Sequence, residues 1–177
     1  IQMCAGYYNY KSGHKPIFKG SEDFVGQIIH PQEWNSTIDY ENKKVAVIGS
    51  GATAVTLVPQ IAKKASHVTM IQRSPTYIAS VPSKYKILHL LNYISPKFGY
   101  KIIRFTNILR QRRIYRRARR SPELVKDYLL GLVRDELPDF DIEKHFTPSY
   151  NPWEQRLCLA PDSDFFESIK QKRVSIE

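Results

Sequence analysis

The alternation of apolar and polar positions is most regular in the second quarter of the chain. KVAVIG, residues 44–49, is a short apolar run with two Val and an Ile, which is typical of a buried parallel strand. Apolar residues then recur at helical spacing from Val55 to Ala65, although Pro59 should bend this helix or leave one carbonyl unpaired. HVTMIQ, residues 67–72, predicts a second strand. Strand, turn, helix and strand make most of a βαβ unit, so we predict an α/β fold.

The segments around this unit follow other patterns. Residues 1–34 alternate short apolar runs with Gly and Pro, which predicts strands and turns. Helical spacing returns between Ser83 and Pro138, where the candidate helices are residues 84–94, 101–120 and 121–137. After these helices we predict a loop and then a strand within HFTPSYNPWEQRLCLAP, followed by a short helix and a final strand in RVSIE.

The third candidate helix carries the clearest boundary signals. Ser121 stands at the N-cap and Pro122 at the first helical position, and Pro138 follows just past the predicted end. One face of this helix carries Leu124, Tyr128 and Leu132. We therefore predict that this block is a helical insertion into the α/β unit.

Composition bounds the class of protein. Of the 177 residues, 42% are apolar and 25% are charged, which is ordinary for a globular domain. No apolar run approaches the roughly 20 residues of a membrane-spanning helix, and we expect no signal peptide. Cys4 and Cys158 form neither a disulfide framework nor a C-x-x-C motif, so we predict a reducing, cytoplasmic setting.

The first and last segments, IQMCAGYY and KRVSIE, are strand-like, and we expect an internal piece of a longer protein.

The formal net charge of +10 is concentrated in one run, Arg110 to Arg120, which holds seven Arg and no acid. Clustered Arg beside an aromatic residue could bind nucleic acid. The run could also lie on anionic lipid, with Ile114 and Tyr115 dipping into the interface, or form the solvated face of a helix. We expect no nucleic-acid partner and keep peripheral membrane contact open.

GSGATA, Gly49 to Ala54, matches the G-x-G-x-x-A pattern where dinucleotide binding requires it, between a strand and a helix. Gly49 allows the tight turn, Gly51 lets a pyrophosphate approach the backbone, and Ala54 keeps helix and sheet close. Amides at the helix start, together with the helix dipole, favour anionic phosphates. The candidate cofactor-binding residues of this turn are Gly49, Ser50, Gly51, Ala52, Thr53 and Ala54. Such turns also occur without a ligand, and this alternative stays open.

The end of the second strand indicates which dinucleotide would bind. An NAD site places an acidic residue there, which accepts a hydrogen bond from the ribose 2′-hydroxyl. This chain has MIQRSP instead, with Arg73 and Ser74 at that position. A guanidinium can pair with a 2′-phosphate through two hydrogen bonds, which favours NADPH. The alternative is a plain surface arginine after a strand. No metal site is predicted.

FVGQIIHPQEW, Phe24 to Trp34, reads F-x-G-x-x-x-H-x-x-x-W and precedes the glycine turn. With these motifs in this order, the chain resembles the flavin-dependent monooxygenases. The final Trp of this fingerprint is similar to the Baeyer–Villiger branch, although Asn35 replaces the Pro or Asp that usually follows. Several stretches resemble the ethionamide-activating subgroup of bacterial Baeyer–Villiger enzymes, namely CAGYYNY, GSEDFVGQIIHP, GSGATAVTLVPQIA, HVTMIQRSPTYI and HFTPSYNPWEQRLCLAP.

The resemblance implies two cofactors, FAD and NADPH, and a reaction. In this family NADPH reduces FAD, the flavin binds O₂ as a C4a-peroxide, and the peroxide attacks a ketone to give an ester or lactone. Some members oxidise sulfur or nitrogen, so thioether and amine substrates remain an alternative. A complete member also has an earlier FAD-binding glycine turn, so we expect this piece alone to be inactive and its partner to be the remainder of the same polypeptide. A more distant alternative is a basic nucleic-acid or membrane-surface binding module with an incidental glycine turn.

The resemblance also implies a catalytic residue. In these enzymes an Arg facing the flavin stabilises the anionic peroxide, and the matching residue in NPWEQRLCL is Arg156. The Lys that often precedes it and touches the NADP 2′-phosphate is Gln155 here, so Arg73 and Ser74 would bind that phosphate with less help. The alternative for Arg156 is an ion-paired arginine at the start of a strand.

The implied architecture is a Rossmann-like, three-layer NADP-binding domain with a helical insertion and part of the FAD-domain border. Its predicted segments are the FAD-domain border and hinge (1–40), the first part of the NADPH-binding domain (41–82), the helical insertion (83–145) and the return to the NADPH-binding domain (146–177).

The fingerprint would lie where the chain passes from the FAD domain to the NADP domain. We predict that Gly26 supplies a backbone angle that other residues resist, and that Phe24 and Trp34 anchor the loop by burial. His30 then belongs to a hinge that couples cofactor movement to the active site. A core histidine in a rigid linker is the alternative.

Overall fold

The structure, a computed structural model, describes residue 9 and residues 11–84 and 95–177. It confirms the predicted mixed α/β class, with parallel sheets and interspersed helices. The chain divides into two compact units, Ile1–Asp39 and Tyr40–Glu177. Two predicted features, the helix at residues 84–94 and the strand-like run QMCAGYY, lie outside the described residues except for Lys84.

Five strands and five helices make up the described part of the larger unit. The strands are β1 (Lys44–Ile48), β2 (His67–Ile71), β3 (Tyr77–Val81), β4 (Leu157–Pro161) and β5 (Val174–Ile176). The helices are α1 (Ala52–Ile61), α2 (Pro96–Arg120), α3 (Pro122–Glu136), α4 (Ile142–Phe146) and α5 (Asp164–Lys170). The predicted elements around the glycine turn and at the C-terminus are confirmed, as are the two later helices, of which α2 begins at Pro96 rather than at residue 101.

The strands form two parallel sheets. β1, β2 and β5 make a three-stranded sheet in the order β1–β2–β5, in which Val68 lies opposite Val45 on one side and Val174 on the other. β3 and β4 make a two-stranded sheet, with Tyr77 opposite Leu157. Because parallel neighbours end at the same edge of a sheet, the turns after β1 and β2 lie side by side.

The prediction that β1 is a buried strand is wrong within the described residues. β1 lies at the edge of its sheet, and its side chains alternate between partly buried and exposed positions. Val45 and Val47 pack against the core, whereas Ile48 is 64% exposed. A strand with apolar residues on both faces can be buried on both, but only one face of β1 packs against other described residues.

The sequence pattern predicts neither β3 nor α4. The β3 segment YIASV lies between Pro75 and Pro82 and directly before the helical block, so local signals place it in a connection. α4 has five residues, and its start is marked by the Asp141 carboxylate, which accepts the Lys144 amide at 3.0 Å. In segments this short, tertiary contacts determine whether a strand or a helix forms, and the local sequence pattern does not.

α3 begins at Pro122, directly after Ser121 as predicted, although the Ser121 side chain makes no capping hydrogen bond. The face of Leu124 and Tyr128 is exposed. The buried residues of α3 are Val125, Leu129, Leu130 and Val133. The buried stripe therefore begins one residue later than the stripe that the spacing singles out, because α3 packs against β3, α2 and α4 on that side.

The core of the larger unit joins α1, α5 and both sheets. α1 continues through the buried Pro59, which has no amide, so the Val55 carbonyl lacks its usual helical partner as predicted. On the other side of the core, Phe166 packs against Phe165 and Phe146, with ring centroids 5.8 and 6.0 Å away. α1 contacts both β1 and β2, and this packing positions the turns at the ends of these strands.

The described residues of the smaller unit contain two 3₁₀ turns, Ser21–Asp23 and Pro31–Glu33, and no strand. The prediction of strands is therefore wrong for residues 11–34. Apolar runs in this segment are short and are bounded by Gly and Pro, and such runs need a partner strand to hold a ladder. None of the described residues of this unit is buried.

Candidate functional site

The glycine turn after β1 exposes the start of α1. Gly49 adopts φ +124°, which only glycine tolerates well and which its predicted role in a tight turn requires. Gly51 is the N-cap of α1 at φ −81°, it has no side chain that could cap the helix, and a Cβ placed on it would meet no atom within 4 Å. The first amides of α1 therefore face open space beside the glycine, where an anion can approach.

The remaining residues of the turn divide into buried and exposed positions. Ser50 and Ala54 are buried, and Ala54 belongs to the core, which agrees with its predicted role in close packing of helix and sheet. Ala52 and Thr53 are exposed at the first turn of α1. The turn thus has a fixed base and an accessible upper surface.

Two hydrogen bonds join the glycine turn to the end of β2. The Gly49 amide donates to the Ile71 carbonyl at 2.8 Å. The Ser50 hydroxyl donates to the Ser74 carbonyl at 3.0 Å. The structure therefore brings the glycine turn and the predicted phosphate-binding segment of Arg73 and Ser74 together.

Arg73 is exposed, and Ser74 is partly buried. No carboxylate of the described residues lies within ion-pair distance of the Arg73 guanidinium. Its backbone is held on both sides, because the preceding Gln72 donates its amide to the Glu177 carbonyl at 2.8 Å and the following Ser74 accepts from Ser50. A cation on a fixed backbone, with no acid beside it, is suited to binding an anion.

Arg156 is the residue directly before β4. It contacts the connection between β2 and β3, which also carries Arg73 and Ser74, through the Thr76 hydroxyl. Its carbonyl accepts a hydrogen bond of 2.9 Å from the Tyr150 hydroxyl and one of 3.4 Å from the Thr76 hydroxyl. The Tyr150 and Thr76 hydroxyls are themselves 3.0 Å apart. These contacts fix the main chain of Arg156 and leave its side chain exposed.

Tyr77 supports the position of Tyr150. The Tyr77 hydroxyl donates to the Tyr150 carbonyl at 2.7 Å, and the two rings meet edge to face with centroids 5.5 Å apart. Burial, reinforced by the negative charge that Tyr150 would carry if ionised, raises the pKa of Tyr77 to about 12. Sequence reasoning missed Thr76, Tyr77 and Tyr150, because a Thr or Tyr residue gives no local signal of the hydrogen bonds that its hydroxyl makes with distant segments.

The ion-pair alternative for Arg156 finds no support, because no carboxylate of the described part of the chain lies within ion-pair distance of its guanidinium. The neighbouring Gln155 is also exposed. The connection from Gln72 to Tyr77 therefore contacts the glycine turn through Ser74 and the main chain of Arg156 through Thr76. This connection therefore joins the glycine turn to the main chain that carries Arg156.

The fingerprint residues lie in the smaller unit, and two expectations about them are wrong. Phe24 and Trp34 do not anchor the loop by burial, since their residues are 59% and 40% exposed within the described chain. Gly26 does not adopt a positive φ. A Cβ at Gly26 would instead overlap the ring of Phe24, so the need for glycine there is one of space.

His30 is partly buried and begins the 3₁₀ turn of residues 31–33. Its Nδ1 accepts the Gln32 amide at 3.2 Å. A Cβ at Gly13 would overlap the His30 ring, and Lys15 forms an ion pair of 2.5 Å with Glu33. Residues 13–15 therefore pack against the fingerprint turn, a contact that a pattern spanning only residues 24–34 does not include.

No helix in the described ranges is both long enough and apolar enough to cross a membrane.

Comparison with known families gives one match that covers more than half of the chain. The family described as flavin-binding monooxygenase-like matches residues 1–104. The chain is 50% identical over 177 residues to the FAD-containing monooxygenase EthA of Mycobacterium tuberculosis, an alignment that covers 98% of this chain and 36% of the relative. It is also 50% identical over 179 residues to the probable FAD-binding monooxygenase AlmA of an Acinetobacter species, covering 100% of this chain and 36% of the relative.

Solved structures support the fold. A steroid monooxygenase bound to NADP matches with a TM-score of 0.71 at 17% identity, over 93% of this chain and 38% of that one. The enzyme OTEMO in complex with FAD and NADP matches with a TM-score of 0.68 at 17% identity, over 94% and 39% of the two chains. The chain thus spans about a third of the length of the proteins that it matches, with 36% of EthA covered.

Proposed function

Because the chain belongs to the flavin-binding monooxygenase-like family, we propose that it forms the NADPH-binding part of an FAD-dependent monooxygenase. In this proposal, residues 41–82 and 146–177 build a Rossmann-like NADPH domain, residues 83–145 are its helical insertion, and residues 1–40 border the FAD domain. The FAD site and the remaining walls of the substrate pocket would come from the rest of the polypeptide, since only 36% of the EthA length is matched.

The observation that carries this proposal is the hydrogen bond of 3.0 Å between Ser50 and Ser74. It sets an open helix N-terminus beside an exposed cation at the carboxyl edge of a parallel sheet, which is where dinucleotides bind in open α/β sheets. The residues present fit such a group, because Gly51 leaves space where any larger residue would place a Cβ. The amides of residues 51–54 would hold the pyrophosphate, and the buried Ser50 would keep the turn rigid.

Preference for NADPH over NADH would come from Arg73. Its guanidinium is exposed, has no acid of the described residues beside it, and can bind a 2′-phosphate through two hydrogen bonds. The Ser74 hydroxyl and the exposed Gln155 amide are neutral groups that could add hydrogen bonds to the same phosphate. The 2′-phosphate contact would therefore depend on a single cation.

Arg156 would be the catalytic residue that this chain contributes. When bound, NADPH would supply hydride and FAD would supply the chemistry that activates O₂. Arg156 projects from a main chain held by Tyr150 and Thr76, and it has no carboxylate of the described residues to neutralise it. A fixed and uncompensated guanidinium can stabilise negative charge at the reaction centre.

The proposed substrates are ketones, oxidised to esters or lactones in a Baeyer–Villiger reaction, because the fingerprint of residues 24–34 ends in Trp34. The fingerprint itself would act as a hinge between the two cofactor domains. Its turn begins at His30, which the described contacts hold through the Gln32 amide and against Gly13. Oxidation of thioethers or amines, without ester formation from ketones, would contradict this part of the proposal.

Calorimetric titration of the chain with NADPH and with NADH tests the cofactor assignment. We expect binding of NADPH to be at least about tenfold tighter than binding of NADH, since a charge-assisted contact to the 2′-phosphate is present only in the first complex. Equal affinities would remove the role of Arg73, and no binding of either dinucleotide would contradict the proposed NADPH domain. Product analysis of the complete polypeptide, with a ketone and a thioether as competing substrates, tests the reaction class.

A further inference from the structure

The helix α2 presents a long apolar stripe that no described element covers. α2 packs on α3, and among its described residues only Gly99 and Ala118 are buried. Phe98, Phe105 and Leu109 are 51%, 62% and 42% exposed. Together with the partly buried Ile102 they follow the spacing i, i+4, i+7 and i+11, which places them in one row along the helix. A row of large apolar side chains that stay exposed marks an interaction surface.

The same face of α2 becomes cationic towards its C-terminus. Arg112 and Arg116 follow Phe105 and Leu109 at a spacing of seven, so they extend the apolar stripe in the same direction. α2 contains no acidic residue, and its cationic residues are Lys97, Lys101, Arg104, Arg110, Arg112, Arg113, Arg116, Arg117, Arg119 and Arg120. The apolar and cationic parts thus follow each other along one face rather than lying on opposite faces.

Little of this charge is compensated within the described residues. Arg119 lies 3.9 Å from Glu154, and no other arginine of α2 has a described carboxylate within ion-pair distance. Exposed ion pairs at this distance contribute little. The helix therefore offers a strong positive potential directly beside its apolar stripe.

We propose that this face of α2 docks on the surface of an anionic lipid bilayer. Phe98, Phe105 and Leu109 would enter the boundary between headgroups and acyl chains, while the arginines from 110 to 120 would contact the phosphates. α2 would lie on the bilayer at a tilt, with its N-terminal half deeper than its C-terminal half, because the apolar row of Phe98, Ile102, Phe105 and Leu109 precedes the arginine run. It would not cross the membrane, since no described helix has the required length and hydropathy.

A bilayer fits this surface better than a nucleic acid or a protein partner does. A nucleic acid would neutralise the arginines but would leave Phe98, Phe105 and Leu109 in water. A protein that covered the apolar stripe would also need a dense acidic patch opposite the arginine run. Anionic lipid supplies negative headgroups and an apolar boundary together. This inference is independent of the proposed function, because it uses neither the glycine turn nor the hydroxyl contacts that hold the main chain of Arg156.

Vesicle flotation of the complete chain tests the proposal. The probes are vesicles of phosphatidylcholine alone and vesicles in which about one third of the lipid is phosphatidylglycerol, at about 0.1 M and 0.5 M salt. We expect binding to the anionic vesicles to be at least about tenfold stronger than to the neutral ones, and to weaken at the higher salt concentration. Equal binding to both vesicle types, or binding to neither, would overturn the proposal.

Matched variants test whether this face of α2, rather than exposed apolar and basic residues in general, binds the vesicles. We expect Phe105→Ser, and the triple change Arg112→Gln, Arg113→Gln and Arg116→Gln, each to weaken binding about fivefold or more. The apolar control is Leu124→Ser on α3, which is 60% exposed. The charge control changes the exposed Lys44, Lys63 and Lys64 to Gln. Circular dichroism must show that each variant keeps its helix content.

The controls also decide between partners. If Leu124→Ser or the triple lysine variant weakens vesicle binding as much as the α2 variants, the surface is not the one proposed. Salt-sensitive binding to single- or double-stranded nucleic acid without vesicle binding would assign the arginines to nucleic acid instead. Dimerisation of the chain that Phe105→Ser abolishes, again without vesicle binding, would assign the stripe to a second copy of the chain.

Discussion

The hydroxyl of Ser50 donates a hydrogen bond of 3.0 Å to the carbonyl of Ser74. Ser50 lies inside the glycine turn, and Ser74 follows the cation that distinguishes NADPH from NADH in our proposal. Since Ser50 is buried, breaking this bond would leave a hydroxyl without a partner in a region closed to water. The contact therefore couples the shape of the phosphate-binding turn to the position of Arg73.

The change Arg73→Ala should weaken binding of NADPH about tenfold to a hundredfold and leave binding of NADH within about twofold, because it removes charge-assisted hydrogen bonds to the 2′-phosphate. Calorimetric titration of the chain with both dinucleotides measures the difference. The matched control is Arg134→Ala, which removes an exposed arginine of α3 that is paired with Glu143 at 3.2 Å. Equal losses for NADPH and NADH in Arg73→Ala would contradict the assignment.

The two glycines of the turn should respond differently to alanine. Gly49→Ala forces an L-residue to φ +124°, so we expect the free energy of unfolding to fall by about 1–3 kcal/mol although the Cβ would meet no neighbour. Gly51→Ala keeps φ −81° and adds a Cβ in open space, so stability should change by less than about 0.5 kcal/mol. Its effect should instead be a loss of NADPH affinity, because the methyl group occupies the approach to the amides.

Urea unfolding and NADPH titration of the same two variants check this contrast. If Gly51→Ala destabilises the chain as much as Gly49→Ala does, the space beside residue 51 is not open in solution. If Gly51→Ala binds NADPH as the unmodified chain does, the pyrophosphate does not approach this residue.

The sequence predicts the part of the site that depends on local backbone order. β1, Gly49, the start of α1 and β2 follow one another within 30 residues, and each leaves a clear local signal in periodicity or in residue type. Arg73 is predicted as a phosphate contact because it follows directly from the end of β2. That Ser50 contacts Ser74 is not predictable from such patterns, since side-chain hydrogen bonds depend on how closely the two turns approach.

The remaining features depend on contacts between distant segments. β3 forms a sheet with β4 across 80 residues of sequence, as in the pairing of Tyr77 with Leu157, and YIASV alone gives no indication of its partner. The burial expected of Phe24 and Trp34 rested on their size, but the described residues of the smaller unit provide no core to receive them. A large apolar residue predicts burial only when neighbouring elements can cover it.

Tyr150→Phe should lower the free energy of unfolding by about 1–2 kcal/mol, because it removes a hydroxyl that lies 3.0 Å from the Thr76 hydroxyl and donates to the Arg156 carbonyl at 2.9 Å. Chemical unfolding monitored by tryptophan fluorescence gives the value. Tyr128→Phe is the control, since Tyr128 is exposed on α3 and should change stability by less than about 0.5 kcal/mol. Similar changes in the free energy of unfolding for the two variants would show that the Tyr150 hydroxyl does not stabilise the main chain at Arg156.

Glu136 should make the fold sensitive to acid. It accepts hydrogen bonds from Lys170 at 2.7 Å and from Ser163 at 2.6 Å, and these contacts lower the pKa of its carboxyl group below the usual value. A carboxyl whose pKa is lower in the folded chain stabilises the fold above its unfolded pKa, and this stabilisation is lost as the pH falls through its folded pKa. The free energy of unfolding should therefore decrease below about pH 4.5. Glu136→Gln should remove part of that decrease. The part removed should be less than about 1 kcal/mol, because the Glu136 carboxylate is only partly buried. Urea titrations between about pH 3 and pH 7 measure the slope, with Glu143→Gln as the control for an exposed ion pair. A slope unchanged by Glu136→Gln would mean that Lys170 and Ser163 do not hold this carboxylate in solution.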